Sequence, residues 1–262
     1  MTPEHPVSAT APDSEDLPGT DPRRAGLLYL LGRIVLAPLA RLVYRPRVEG
    51  RRNVPRTGPV IIASNHLSFI DSIAIPVAAP RRVHFLAKSS YFEGHGARGA
   101  LIRNFMQAVG AIPVNRGAGQ AALDALEQQR QLLSDGQAVA LYPEGTRSTD
   151  GRLYKGRTGA AFLALETGAV VVPVGLIGTD KAMPVGAKIP TFGHRVTIRF
   201  GEPIDLSHLG AAGSGRARRQ ATDAIMSAIH DLSGQELAGV YNEVPAQGAI
   251  EKIKQALPHE RR

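Results

Sequence analysis

Cysteine is absent from this chain, which excludes disulfides, thiolate metal sites and a cysteine nucleophile. Tryptophan is absent too, and aromatics make up only 5% of the residues, so base-stacking platforms have little to be built from. The first 22 residues hold no Lys or Arg, so the basic start of a secretory signal is missing. There is also no long uncharged apolar run. The most apolar stretch, residues 25–44, is interrupted by Arg33 and Arg41, whereas a spanning helix wants ~20 mostly apolar residues. No G-x-S-x-G elbow and no metal-ligand cluster occur. Residues 94–99 do spell G-x-G-x-x-G, but the strand-like run before them ends at Ala87 and residues 89–93 intervene. The tight strand–turn–helix setting of a nucleotide loop is therefore missing.

What is present is a basic body behind an acidic start. The first 22 residues hold five acids, so of the net +8 over 262 residues the other 240 carry +13. Such a body should seek anions, and with so few aromatics lipid or phosphate is a better match than nucleic acid. A hydrophobic content of 43% is enough for one large domain. Residues 1–24, rich in Pro, Ser, Thr and acid, read as a disordered acidic tail. Residues 25–47 read as an amphipathic helix. Leu28, Leu31, Val35, Leu39 and Leu42 share one side, Arg33, Arg41 and Arg45 lie opposite, and Pro38 should kink it. Such a helix can lie in a membrane interface with its arginines on lipid phosphates.

Across residues 48–238, strand-like runs at 60–63, 83–87, 111–114, 138–142, 170–174 and 195–200 alternate with helical patterns. The latter fall at 72–78, 97–108, 120–133, 159–166 and 216–233. The alternation predicts one α/β domain with a mixed, largely parallel sheet flanked by helices. Residues 239–262, with Pro and scattered charge, should be a loosely attached tail.

Three strand ends carry chemistry. After 60–63 come Asn65 and His66, with Asp71 five residues beyond the histidine. A bend, or 1.4 turns of helix, could bring the Asp71 carboxylate to one His66 nitrogen, fixing its tautomer and leaving the other to take a proton. Alone, the pair reads better as a strand-end histidine and an N-capping aspartate, since structural His and Asp are common. After 111–114 comes Arg116, a candidate phosphate ligand. After 138–142 come Glu144, Gly145, Thr146 and Arg147, with Lys155 and Arg157 close behind. Here Glu144 could accept from a substrate hydroxyl or hold an arginine, and the cations could face an anion. A fourth run, 170–174, contains Pro173, which cannot donate to a ladder and so belongs at an edge or a strand end.

In this order the four motifs (Asn65-His66 with Asp71, Gly110 to Arg116, Tyr142-Pro143-Glu144-Gly145-Thr146-Arg147-Ser148, and Val171-Val172-Pro173-Val174) resemble the glycerolipid acyltransferase family. Within it they are most similar to 1-acyl-sn-glycerol-3-phosphate (lysophosphatidic acid) acyltransferases. Tyr142 stands where that family usually has Phe. The resemblance covers residues 48–206. It implies His66 as general base, Asp71 as its orienting partner, and Arg116 and Arg147 as ligands of the acceptor's phosphate. Glu144, Gly145, Thr146 and Lys155 would shape the acceptor site. It further implies an acyl thioester co-substrate, acyl-CoA or acyl carrier protein, and work at the cytoplasmic face of a membrane with an anionic surface. No metal, other cofactor or nucleic acid is implied. The chemistry of the residues agrees, since transfer from a thioester to a hydroxyl needs a base near neutrality and no covalent intermediate. Other lysolipid acceptors, such as lyso-ornithine lipid, and a non-catalytic lipid-binding role are the rival readings.

Overall fold

The computed structural model describes residues 46–114, 120–187, 189–191 and 193–243, with Ile34 and Pro38 as isolated positions. The acidic tail, nearly all of the helix expected over 25–47, Arg116 and residues 244–262 lie outside the described residues.

The frame follows from one strand. Val60–Ser64 (β2) is an apolar run in which all five residues are buried. Successive side chains of a strand point to opposite faces. Accordingly Val60 and Ile62 join one core cluster, and Ile61 and Ala63 join another. A strand buried on both faces must sit inside a sheet covered above and below. Each large apolar side chain so buried contributes ~1.5–3 kcal/mol.

The elements in chain order are β1 (Arg47–Glu49), β2, α1 (Asp71–Ala78), β3 (Val83–Lys88), α2 (Gly96–Ala108), β4 (Ala111–Val114) and α3 (Gln120–Ser134). They continue with β5 (Ala138–Leu141), α4 (Gly159–Thr167), β6 (Val170–Ile177), α5 (Thr179–Ala182), β7 (Thr197–Phe200) and α6 (Gly215–Ser233). Among the described residues the strands form one sheet in the order β1-β7-β6-β2-β5-β3-β4. β6, β2, β5, β3 and β4 run parallel, while β7 is antiparallel to β6 and parallel to β1. Helices α1 and α2 bury Ile75 and Met106 in the first cluster. Helices α3, α4 and α6 bury Leu133, Leu163, Ile225 and Ile229 in the second. The result is the expected mixed, largely parallel sheet flanked by helices.

Three expectations change. Pro173 is at neither a sheet edge nor a strand end: it lies in the middle of β6, between β2 and β7. Its carbonyl accepts from Gly201 N at 2.8 Å, and the ladder to β7 begins only at Val174. In a strand a residue's N–H and C=O point the same way, so the missing N–H faces the place where that ladder stops. The interior position therefore costs no strand pairing. Residues 239–243, expected to be loose, are tied down. Val240 O accepts from Lys155 N at 2.9 Å, the Asn242 amide donates to Arg147 O at 3.2 Å, and Arg219 donates to the Tyr241 hydroxyl at 2.7 Å. Finally, β1 and α5 had no sequence counterpart. Both are short and depend on partners far along the chain.

Candidate active site

His66 leaves β2 at the carboxyl end of the parallel strands, where sheet-built sites open. The chain does not wind into a helix between His66 and Asp71, because α1 begins at Asp71 itself. Instead residues 67–70 fold tightly around the Asp71 carboxylate. Asp71 Oδ2 accepts from His66 Nδ1 at 2.9 Å and from the backbone N–H groups of Leu67 and Ser68 at 2.7 Å each. Asp71 is fully buried and stands in the first turn of α1, where the helix dipole favours a negative charge. Three donors on one oxygen hold the side chain still. The neutral His66 ring is then protonated at Nδ1, and Nε2 is the nitrogen able to accept a proton.

The turn leaving β5 locks the histidine from behind. The Tyr142 ring stacks on the His66 ring with centroids 3.7 Å apart and planes 8° from parallel, and its hydroxyl shares a 2.8 Å hydrogen bond with Ser72. Glu144 accepts from His66 N and from Tyr154 N at 3.0 Å each, and Ser148 N donates to His66 O at 2.7 Å. Both oxygens of Glu144 thus serve the backbone, and the residue is 1% exposed. Glu144 braces the backbone behind the site at His66 and Tyr154. Burial pushes its pKa up to about 7, against the pull of its two N–H donors.

Gly145 has φ +79°, and a Cβ there would come within 2.9 Å of Arg157 Nε. Glycine therefore permits both the turn and the close passage of Arg157. Thr146 is partly buried on the same turn. Arg147 is exposed, and its guanidinium has no hydrogen-bond or ion-pair partner among the described residues. Lys155 is also exposed nearby in sequence. The turn thus carries Arg147, Lys155 and Arg157, whereas Arg152 is taken up by Asp150.

Some contributors had no assigned role in the sequence. Asn65 is wholly buried and completes the β2–β6 edge: its amide donates to Leu176 O at 2.9 Å and its oxygen accepts from Leu176 N at 2.8 Å. It also donates to Gln235 Oε1 at 2.7 Å. Ser68 donates to Met183 O at 2.6 Å, holding the residue 67–70 turn against the chain after α5. Position beside His66 was a signal for Asn65. Nothing local could have pointed to Gln235, which lies 170 residues further on. Among the described residues no cluster of His and acids could hold a metal ion.

A buried carboxylate that orients a histidine at a parallel-strand end, next to an arginine-bearing turn, is an arrangement able to take a proton from a substrate hydroxyl. An acyltransferase family model matches residues 45–177, and the chain belongs to that family. A chloroplastic 1-acyl-sn-glycerol-3-phosphate acyltransferase of Arabidopsis thaliana is 32% identical over 169 residues, 64% of this chain and 46% of that protein. One from Bacillus subtilis is 24% identical over 190 residues, 72% of this chain and 88% of that protein. The chain spans less than half the length of the Arabidopsis thaliana, Brassica napus and Chlamydomonas reinhardtii relatives it matches. The crystal structure of the 1-acyl-sn-glycerophosphate (LPA) acyltransferase PlsC from Thermotoga maritima shares the fold, with a TM-score of 0.59 and 23% identity. That match covers 82% of this chain and 83% of the other.

Proposed function

We propose that this protein moves a fatty acyl group from an acyl thioester to the free hydroxyl of 1-acyl-sn-glycerol 3-phosphate, giving phosphatidic acid. The observation that carries this reading is the 2.9 Å contact between His66 Nδ1 and the buried, backbone-bound Asp71. The names of the relatives in Arabidopsis thaliana and Bacillus subtilis support the choice of acceptor.

In this reading the acceptor hydroxyl approaches His66 Nε2, which takes its proton as the oxygen attacks the thioester carbonyl carbon. The new C–O bond forms, the tetrahedral intermediate collapses with loss of the C–S bond, and the thiolate recovers the proton from the imidazolium. Asp71 holds the tautomer and stabilises the transient charge on the ring. Tyr142 and Glu144 keep the ring and its backbone in place, so little reorganisation is left for the reaction itself. The acceptor's phosphate would meet Arg147, Arg116 and Lys155, with a planar guanidinium suited to two phosphate oxygens at once.

Among the described residues no helix is long and apolar enough to cross a membrane. Work at the cytoplasmic face of an anionic membrane, reached through residues 25–47, is part of this reading and rests on their one-sided leucines and opposed arginines. The testing experiment is a mass-spectrometric assay of full-length protein with lysophosphatidic acid and palmitoyl-CoA or palmitoyl carrier protein, run beside His66→Ala. Phosphatidic acid from the wild type only is the expected result. Its absence with both donors would sink the reading.

A further inference from the structure

A cavity of about 520 Å³ opens at the same end of the sheet, at the end of β6, and Gly151, four residues beyond Arg147, also lines it. In the sheet β2, which ends in His66, lies between β5, which leads into Tyr142–Arg147, and β6, which leads into the cavity. Leu67, next to His66, and Leu176 and Gly178, at the end of β6, form its near wall. Gln235, whose Oε1 holds Asn65 and whose Nε2 donates to Gly151 O at 2.7 Å, also lines it. The hollow is thus mechanically continuous with the catalytic loop, and its volume suits a sizeable ligand.

Two cations of its lining are uncommitted. Lys181 and Arg195 reach it, and neither charged head has a hydrogen-bond or ion-pair partner among the described residues. Asp180 and Glu236 line it as well. Two such cations suit a phosphate, while the two carboxylates suit amide N–H or hydroxyl donors. One reactant class combines these groups in a single linear arm: the phosphopantetheine thioester, with a phosphate, two amides and a hydroxyl strung along its length. Its apolar lining includes Leu67, which follows His66 in the chain.

We infer that this cavity binds the phosphopantetheine arm of the acyl donor, with Lys181 and Arg195 on its phosphate. The inference rests on the acyl-transfer reading above. The arm could come from coenzyme A or from a carrier protein, and the assay separates the two.

The test compares wild-type protein with Lys181→Ala/Arg195→Ala, using palmitoyl-CoA, palmitoyl carrier protein and the phosphate-free palmitoyl N-acetylcysteamine thioester as donors. Both residues are exposed, and circular dichroism checks that the variant is folded. The KM for a phosphate-bearing donor should rise about 10- to 100-fold, as expected for lost hydrogen bonds to a charged group. The KM for lysophosphatidic acid should stay within about twofold, and the phosphate-free donor should show less than a twofold change. Lys181→Arg, which keeps the charge, should recover most of the loss relative to Lys181→Ala. A rise with only one of the two natural donors supports the inference and identifies the source of the arm. An unchanged donor KM, an equal rise for the acceptor, or an equal effect on the phosphate-free thioester overturns it. Wild-type protein that fails to transfer acyl groups at all instead overturns the function itself.

Discussion

At the scale of single residues, the site is a histidine made directional by contacts that reach it from two sides. Asp71 takes one ring nitrogen, Tyr142 covers one ring face, and Glu144 and Ser148 hold the His66 backbone. General-base help is typically worth ~10²–10⁴ in rate, so His66→Ala should lower kcat by that range with the fold intact by circular dichroism. Asp71→Asn replaces an acceptor-only group with one that can present N–H to the ring and favour the wrong tautomer. The corresponding change in serine proteases costs ~10⁴, and a loss of that order is expected here. The double variant should be scarcely slower than His66→Ala, because the pair acts as one unit. A folded His66→Ala protein with near-normal turnover would falsify the mechanism. Arg147 is exposed and its guanidinium has no partner among the described residues, so its expected work is on the substrate. Arg147→Ala should raise the acceptor KM about 10- to 100-fold and leave the donor KM nearly unchanged. Equal effects on both would point to a distorted turn instead.

At the scale of elements, the strands and helices that were legible in the sequence are those whose pattern is local. The runs at β2 and β5 were read almost to the residue, because a strand buried on both faces is a continuous apolar block between turn signals. His66 and Asp71 were legible for the same reason, being five residues apart. Glu144 was visible as a carboxylate on a turn, but its role was not. Its partners are set by how the β5 turn lies against the His66 loop, which no spacing reports. The three residues of β1 carry little strand signal, and they form because Arg47–Glu49 align with Thr197–Arg199 across the sheet. Gly175 is a similar case. In β6 it reads as a weak strand residue, yet a Cβ there would come within 2.6 Å of the Leu232 backbone in α6. That glycine sets how closely α6 packs on the sheet, and α6 in turn delivers Gln235. Gly175→Ala should therefore cost at least ~1–3 kcal/mol, the usual penalty of overpacking, seen as a lower denaturant midpoint. A midpoint equal to wild type would mean that α6 can shift outward at no cost.

At the scale of the whole molecule, charge decides behaviour in two places. The basic body and the arginines of residues 25–47 suit an anionic surface, so removing residues 1–45 should weaken sedimentation with anionic liposomes in a salt-sensitive way. Arg33 and Arg41 should each add ~1 kcal/mol at low salt, and a truncated protein that still sediments fully would remove that role. Inside the body, two buried groups make stability depend on pH in opposite directions. Burial, with Arg82 and Arg81 adding to it, pushes the His84 pKa down to about 4. Between about 6.5 and 4 the unfolded chain binds a proton there that the folded protein refuses, so stability is lost as pH falls. Burial pushes Glu144 up to about 7. Between about 4.5 and 7 the folded protein keeps a proton there that the unfolded chain releases, so stability is lost as pH rises. At ~1.4 kcal/mol per pKa unit, each group is worth roughly 3 kcal/mol across its window. The windows overlap, and the two effects should nearly cancel in wild type from about pH 4.5 to 6.5. Urea unfolding across that range separates them, with the slope against pH rather than the absolute stability as the readout. His84→Gln should leave a protein that weakens as pH rises, and Glu144→Gln one that weakens as pH falls. Parallel, unchanged slopes in both variants would show that neither group is held away from its ordinary pKa in the folded protein.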